Sequence, residues 1–383
     1  MVNFLLTLIF ISLSSFSFAN SWNLNSFEKQ IKGEIDSITV EKLNQYWVPP
    51  KSLKKKQCFI KYSHLTGEFS FSKIAKRTKS RYLINFANYY GIMIANSIAG
   101  NDVEKIKIKI LEIASNEYFS KPDMKKGWSP IYVQSNIIRL TAFYINHLKK
   151  LDNIKPDEEN LLRKWIKPMI KYQKGFKMNG SDDSRAASGV ALMTWGAEIN
   201  DISLFKKGIK NWTESLNYIF SSVGKLKRQE AHRNVSLRDL SLEDEFNLTL
   251  GHVLEGYVLL ENIGLDVDKI KYKNLNIKKT VEWWVNELRT KINWDVLGRP
   301  KPINNFNFKG TRRTSHNWHL GWIPIYLSNP RGDVVKNYLD KMVYHISYNY
   351  ALNPYFKGIS LGVATDCLWG YSTNIKLGGK KNN

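Results

Sequence analysis

Apolar residues recur every three or four positions along most of the chain, which is the spacing of one face of an α-helix. The clearest case is Tyr132–Lys150, where Val133, Ile137 and Leu140 share a face. Strand-like alternation is scarce, and Asn-Gly, Asp, Pro and Gly residues separate the periodic stretches, as expected of loops. The same pattern predicts five more helices: Glu159–Tyr172, Ala186–Ile199, Ser203–Phe220, Phe246–Ile263 and Thr280–Leu288.

The sequence therefore predicts an all-α protein of roughly ten to twelve helices of ordinary length. Helices joined by short loops pack antiparallel, and a run of such hairpins closes into an (α/α) toroid or incomplete barrel. Asp295–Arg313 is the main non-helical stretch, and its length is typical of a functional loop. No low-complexity linker interrupts the chain, so we expect residues 20–383 to form a single domain.

The N-terminal residues 1–19 resemble an export signal. Phe4–Phe18 is apolar, and Ser17 and Ala19 before Asn20 form a small-x-small cleavage site. The apolar run is shorter than the about 20 residues of a membrane span, which favours cleavage over an uncleaved anchor. We expect a periplasmic or secreted protein with no stable membrane insertion after signal cleavage.

The chain is strongly basic, with 57 Lys and Arg against 34 Asp and Glu, for a net charge of +23. A positive field concentrates anionic ligands, although a Lys-, Asn- and Ile-rich composition also raises the charge without any anionic partner. Export argues against nucleic acid as the anionic partner, so we expect an acidic polysaccharide or oligosaccharide instead. We also expect the protein to be a monomer. The two cysteines, Cys58 and Cys367, allow at most one disulfide and exclude a Cys₄ zinc site.

Three blocks, read in order, resemble the alginate lyase family of polysaccharide lyases. The first is Asn179–Trp195, in which a turn opens a helix of small residues. The second, Gly224–Gly264, follows the family pattern Gly-x-Leu-x-x-Glu, an Arg-rich run and a helix that closes in Gly. The third is His319–Gly332, and the whole match spans about Tyr132 to Leu368.

This resemblance implies a helical toroid and an exported enzyme that cleaves an acidic (uronate) polysaccharide by β-elimination. Elimination needs a group that neutralises the substrate carboxylate, a base that takes the C5 proton and an acid that protonates the leaving oxygen. The chain departs from the family at the central positions. The family histidine falls at Asp182 or Asp183, the His-Tyr pair falls near Arg238-Asp239, and no tyrosine lies between residues 218 and 257.

The candidate site residues follow from these blocks and from the polar loop. Arg suits a carboxylate because its fork is bidentate, and His suits proton transfer. His316 and His319 lie three apart, but without a carboxylate partner they do not predict a metal site, and we expect no cofactor. The catalytic candidates are Arg233, Arg238, His232, Asp183, Asp239, His316 and His319. The substrate-binding candidates are Arg185, Trp318, Arg312, Arg313 and Tyr326.

Several of these residues have a structural interpretation as well. Asp182-Asp183-Ser184 suits a helix N-cap, and Arg233 and Arg238 suit a solvated surface. His252 lies inside an apolar helix and is interpreted as a core residue.

Two other functions stay open. A hydrolase would use Asp182 or Asp183 facing Asp239 or Glu243 as paired carboxylates. A non-catalytic homologue would bind acidic glycan without turnover.

Overall fold

A computed structural model describes residues 25–47, 86, 90, 91, 93–120, 130–175, 182–231, 239–291, 322, 325 and 326. Within these ranges the regular structure is helical, and β pairing is limited to an isolated bridge between Tyr272 and Leu275. The all-α prediction is confirmed. The predicted signal peptide, both cysteines and the loop Asp295–Arg313 lie outside the described residues.

All six helices predicted from the periodicity are present, as α5 to α10. In chain order the helices are α1 (Asn25–Gln30), α2 (Lys32–Asp36), α3 (Val40–Leu43), α4 (Val103–Ser115), α5 (Pro130–Lys150), α6 (Pro156–Gly175), α7 (Asp182–Glu198), α8 (Ile202–Ala231), α9 (Asp239–Asn262) and α10 (Ile277–Lys291). A 3₁₀ turn at Val267–Lys269 lies between α9 and α10. Among the described residues, no helix combines the length and the apolar composition needed to cross a membrane.

Consecutive helices form antiparallel hairpins. Lys149 near the end of α5 pairs with Glu159 near the start of α6, at 2.8 Å. Ser135 near the start of α5 donates a hydrogen bond to Gln173 near the end of α6, at 3.2 Å. The order reverses between the two helices, so α5 and α6 run antiparallel, as the short loop between them predicts.

Alternate helices run parallel and form an inner layer. Tyr132 at the start of α5 packs against Ala187 of α7 and bonds His252 of α9. At the other end, Lys149 of α5 binds Glu198, the last residue of α7, at 2.7 Å. Helix α7 is buried almost throughout, whereas α6 and α8 each expose one polar face. Inner parallel helices linked by outer antiparallel ones are the arrangement of an (α/α) toroid or incomplete barrel, and this fold class is confirmed.

Glycines let α7 and α8 approach until their backbones touch. A Cβ added at Gly196 would lie 2.6 Å from the backbone nitrogen of Phe205, and one added at Gly208 would lie 2.6 Å from that of Met193. No real Cβ sits so near a backbone atom, so both positions require glycine. The contact fixes the outer helix α8 tightly against the inner helix α7.

The N-terminal residues 25–47, here called the N-terminal strap, contact the outer helix α8 through Phe27 and reach the ends of the inner helices at Tyr46. Tyr46 Oη donates hydrogen bonds to the carbonyl of Ala142 in α5, at 3.1 Å, and to Glu198 at the end of α7, at 3.2 Å. Asn262 at the end of α9 donates to the carbonyl of Tyr46, at 3.1 Å. The strap therefore joins three inner helices near their C-terminal ends.

Candidate functional site

Three helix termini that border predicted site residues lie toward one end of the helical bundle. Helix α7 begins at Asp182, α8 ends at Ala231 and α9 begins at Asp239. Because α7 and α9 run parallel and α8 runs antiparallel to α7, these three termini lie toward the same end of the bundle, away from the end where Tyr46 contacts the inner helices. The start of α7 is set back from the start of α9 by roughly 13 Å along the axis. We call this end of the bundle the candidate end. The connection that carries His232, Arg233 and Arg238 begins and ends there.

The structure describes the side chains of Arg185 and Tyr326. For Asp183 and Asp239 it describes the backbone alone. Asp182 is the first residue of α7, so the acidic pair lies within the first helical turn rather than ahead of the helix. Negative charge at that position is favourable to the helix dipole. The other predicted site residues lie outside the described residues: His232, Arg233, Arg238, Arg312, Arg313, His316, Trp318 and His319.

Arg185 lies one turn into α7 and faces the outer helix α8. Its side chain is 18% exposed, and its Nε lies 4.0 Å from Oε2 of Glu214. That separation is a loose ion pair rather than a bidentate one. A guanidinium has five N–H donors, so one arginine can engage more than one carboxylate. Its role in substrate binding stays a prediction.

Tyr326 is placed in the hydrophobic core, where its side chain is 5% exposed. Trp322 and Ile325 are buried in the same core. The ring therefore contributes to packing in this structure, and its predicted contact with substrate stays a prediction.

A buried polar network lies beneath the candidate end and joins the inner helices α5 and α9. The hydroxyl of Tyr132 and Nε2 of His252 are 3.0 Å apart, and the two rings meet edge to face. Nδ1 of His252 lies 4.0 Å from Oε2 of Glu255, which forms an ion pair with Arg139. Arg139 also donates to Oδ1 of Asn136, at 3.1 Å. The interpretation of His252 as a buried, partnered core residue is confirmed.

The Arg139–Glu255 pair is buried, with side chains 2% and 0% exposed. Removing one partner of such a pair typically costs about 3 to 5 kcal/mol, because the remaining charge stays buried. The pair therefore holds α5 and α9 in one register. Sequence reasoning missed the network, because its members look like ordinary positions on two apolar helices more than 100 residues apart.

Asn247 of α9 links two tryptophans near the same end. Its Oδ1 accepts hydrogen bonds from Nε1 of Trp284, at 2.8 Å, and from Nε1 of Trp322, at 3.0 Å. Indole nitrogens only donate, so both contacts must be made to the amide oxygen, which fixes the orientation of the side chain. Trp322 belongs to the third block of the family resemblance and Asn247 to the second, so the structure brings these two blocks together.

The described residues hold no group of three His, Cys, Asp or Glu side chains close enough to bind a metal ion.

The sequence matches no protein-family profile, and no curated protein is significantly similar to it. A solved structure of alginate lyase A1-III, a tyrosine-to-phenylalanine variant complexed with tetrasaccharide, superimposes with a TM-score of 0.46 and 12% sequence identity. The match covers 81% of this chain and 88% of the lyase. A likeness this distant does not assign the chain to the family, so the sequence resemblance stays a resemblance.

Proposed function

We propose that this protein is an exported polysaccharide lyase that cleaves an acidic (uronate) polysaccharide by β-elimination. The observation that carries the proposal is the topology of the candidate end. The start of α7, the end of α8 and the start of α9 bear the first two blocks of the family resemblance, and they lie toward the same end of the bundle. An elimination site needs its neutralising group, base and acid within reach of one sugar, and connections that leave one end of the bundle favour that proximity.

The proposed roles follow the chemistry of each side chain. Arg233 or Arg238 neutralises the substrate carboxylate, which makes the C5 proton more acidic. His232, His316 or His319 takes that proton or protonates the leaving oxygen, since histidine titrates near neutral pH. Arg185 binds a carboxylate of the polymer from the side of the site formed by α7.

A hydrolase is the second candidate function. Asp183 of α7 and Asp239 of α9 both lie in the first turns of parallel inner helices, where they could act as paired carboxylates. The register between these helices counts against the pair Asp183 and Asp239. Ala187 and His252 both contact Tyr132, so Asp183 is roughly level with residue 248. Asp239 then lies about nine residues farther along, or roughly 13 Å along the axis. Carboxylates of an inverting hydrolase are about 6.5–9.5 Å apart, so Glu243 is the better partner for Asp183.

The test is to incubate the purified mature protein with polymannuronate, polyguluronate and glucuronan. Elimination creates a C4=C5 double bond, so ultraviolet absorbance should rise on one of the three polymers. New reducing ends without that absorbance would establish hydrolysis instead. No absorbance and no new ends on any polymer would contradict both enzymatic functions.

The role of Arg185 is tested by Arg185→Gln with Arg163→Gln as the matched control. Arg163 lies on the outer helix α6 and pairs with Glu159 of its own helix. Losing one charge-assisted hydrogen bond costs about 1.5–3 kcal/mol, so we expect KM for the polymer to rise about 10- to 100-fold in the Arg185 variant. Steady-state kinetics should show little change in the control, and equal kinetics in the two variants would contradict the assignment.

A further inference from the structure

Helix α6 presents a row of lysines on the outside of the bundle. Lys164, Lys167 and Lys171 are all exposed, and the intervals of three and four residues place them on one face. The opposite face of the helix is buried through Leu162, Trp165 and other apolar residues. The row spans about 10 Å along the helix axis. We call these three lysines the α6 basic stripe.

The charge of this stripe is not balanced by the acidic residues of α6, all of which lie in the first turn of the helix. Two of them are engaged elsewhere, Glu158 with Lys107 and Glu159 with Lys149. Over the described part of the chain, none of the three stripe lysines forms an ion pair or a side-chain hydrogen bond. The stripe therefore presents three uncompensated positive charges to solvent.

An aromatic ring lies beside the stripe. Tyr172 is 38% exposed, one of the few large apolar side chains on the described surface. It follows Lys171 directly, and Pro168 lies between it and the rest of the stripe on the helix surface. An exposed tyrosine ring next to positive charges is suited to the apolar face of a sugar that carries a carboxylate.

The stripe leads toward the candidate end. Gln173 of α6 bonds Ser135 of α5, so Tyr172 is roughly level with the first turns of α5. That is within about one or two helical turns of the Tyr132–His252 pair beneath the candidate end. A long chain bound at that end would reach α6 if it continued over the outside of the bundle.

We propose that the α6 basic stripe and Tyr172 form a second binding surface for the acidic polysaccharide, outside the site of cleavage. The inference rests on the proposed function and extends it, because it states that the substrate is a long polymer rather than a short oligosaccharide. Charge complementarity identifies the occupant as a polyanion, and the exposed ring favours one made of sugars. Each lysine acts as a point charge, so binding at the stripe weakens as ionic strength rises.

The experiment compares the full mature chain with the triple variant Lys164→Gln, Lys167→Gln and Lys171→Gln. The matched control changes Lys206, Lys207 and Lys210 of the outer helix α8 to Gln, which removes the same charge near the other end of the bundle. Migration through gels containing polymannuronate, polyguluronate or glucuronan measures polymer binding whether or not the chain is cleaved. KM on the long polymer and on its tetrasaccharide is measured in parallel.

We expect the α6 variant to bind the polymer about 3- to 30-fold more weakly than the α8 control, with KM for the tetrasaccharide unchanged. Tyr172→Ala should weaken binding as well, and Tyr172→Phe should preserve it. Equal binding by the α6 and α8 variants would overturn the inference, even if the protein proves to be a lyase. If only the α6 variant loses its retardation in the gels, and no form of the protein cleaves the polymer, the second binding surface would be supported. The same result would contradict the proposed lyase activity.

An anionic membrane is the competing occupant of this stripe. Vesicles that contain phosphatidylglycerol serve as its probe. Loss of vesicle binding in the α6 variant, with polymer binding intact, would overturn the inference.

Discussion

Two buried tryptophans depend on a single acceptor atom. Removing the Asn247 side chain leaves the indole N–H groups of Trp284 and Trp322 without that acceptor, and each unsatisfied buried donor costs about 1–3 kcal/mol. We expect Asn247→Ala to lower the free energy of unfolding by about 2–5 kcal/mol. In a Trp284→Phe background one donor is already gone, so the same substitution should cost about 1–3 kcal/mol less. Urea unfolding of the four chains gives this coupling, and strictly additive losses would contradict it.

His147 makes the stability of the protein depend on pH. Burial lowers the pKa of His147 below its ordinary value of 6.5, and the nearby charge of Lys150 lowers it further. Below about pH 6.5 the unfolded chain therefore binds more protons than the folded chain. The stabilising contribution is complete above that pH and is lost as the pH falls toward the pKa of the folded state.

The matching prediction is that His147→Gln flattens the acid side of the stability profile. Between about pH 7.5 and 5.5 the wild type should lose more stability than the variant, because only the wild type takes up this extra proton on unfolding. Urea unfolding at several pH values measures the difference. Parallel profiles for the two chains would show that His147 does not titrate as described.

The contact between α7 and α8 sets a strict requirement at the scale of helices. A Cβ at Gly208 would lie 2.6 Å from the nitrogen of Met193 and 2.7 Å from the oxygen of Gly189, and backbone atoms cannot rotate away. We expect Gly208→Ala to cost more than about 3 kcal/mol, beyond the usual range for a point substitution. Gly33→Ala is the control, because nothing lies within 4 Å of its added Cβ. Helix propensity predicts a gain of about 0.5–1 kcal/mol there, and similar melting temperatures for the two variants would be inconsistent with this packing.

Helices were easier to predict from the sequence than their ends. The apolar repeat located α6 correctly even though Pro168 lies inside it, because the repeat continues on both sides of the proline. The repeat placed the end of α8 at Phe220, whereas the helix continues to Ala231. Beyond Phe220 the residues turn polar, so the apolar pattern fades while the backbone hydrogen bonds continue.

The site was harder to predict than the fold, because residues that meet there lie far apart in the sequence. Tyr132 and His252 are 120 residues apart, and neither has a local spacing that marks it. Arg185 was predicted as a substrate-binding residue because it lies in a block that resembles a known family, and that role stays a prediction. The pairing of Asn247 with Trp322 was out of reach, since it follows from how α9 and a later segment pack.

The N-terminal strap contributes strongly to the stability of the whole molecule. Its apolar side chains are buried, and Phe27 meets Phe220 of α8 at 5.5 Å between ring centres. Burying one such side chain is worth about 1.5–3 kcal/mol, so we expect a chain that starts at residue 48 to melt at least about 10 °C below one that starts at residue 25. A synthetic peptide of residues 25–47 should restore part of the loss. Equal melting curves for the two chains would show that the strap is dispensable.

The strap also has a consequence for the order of folding. Gln30 exchanges two hydrogen bonds with Lys271, which lies 241 residues later in the chain. At about 5–20 residues per second, a ribosome supplies Lys271 about 10 to 50 s after Gln30. Contacts so distant in sequence form late, because closing a long loop costs entropy before any contact is gained. The nascent chain therefore carries this segment incompletely docked until late in its synthesis, with apolar side chains exposed, which makes the segment a natural target for chaperones.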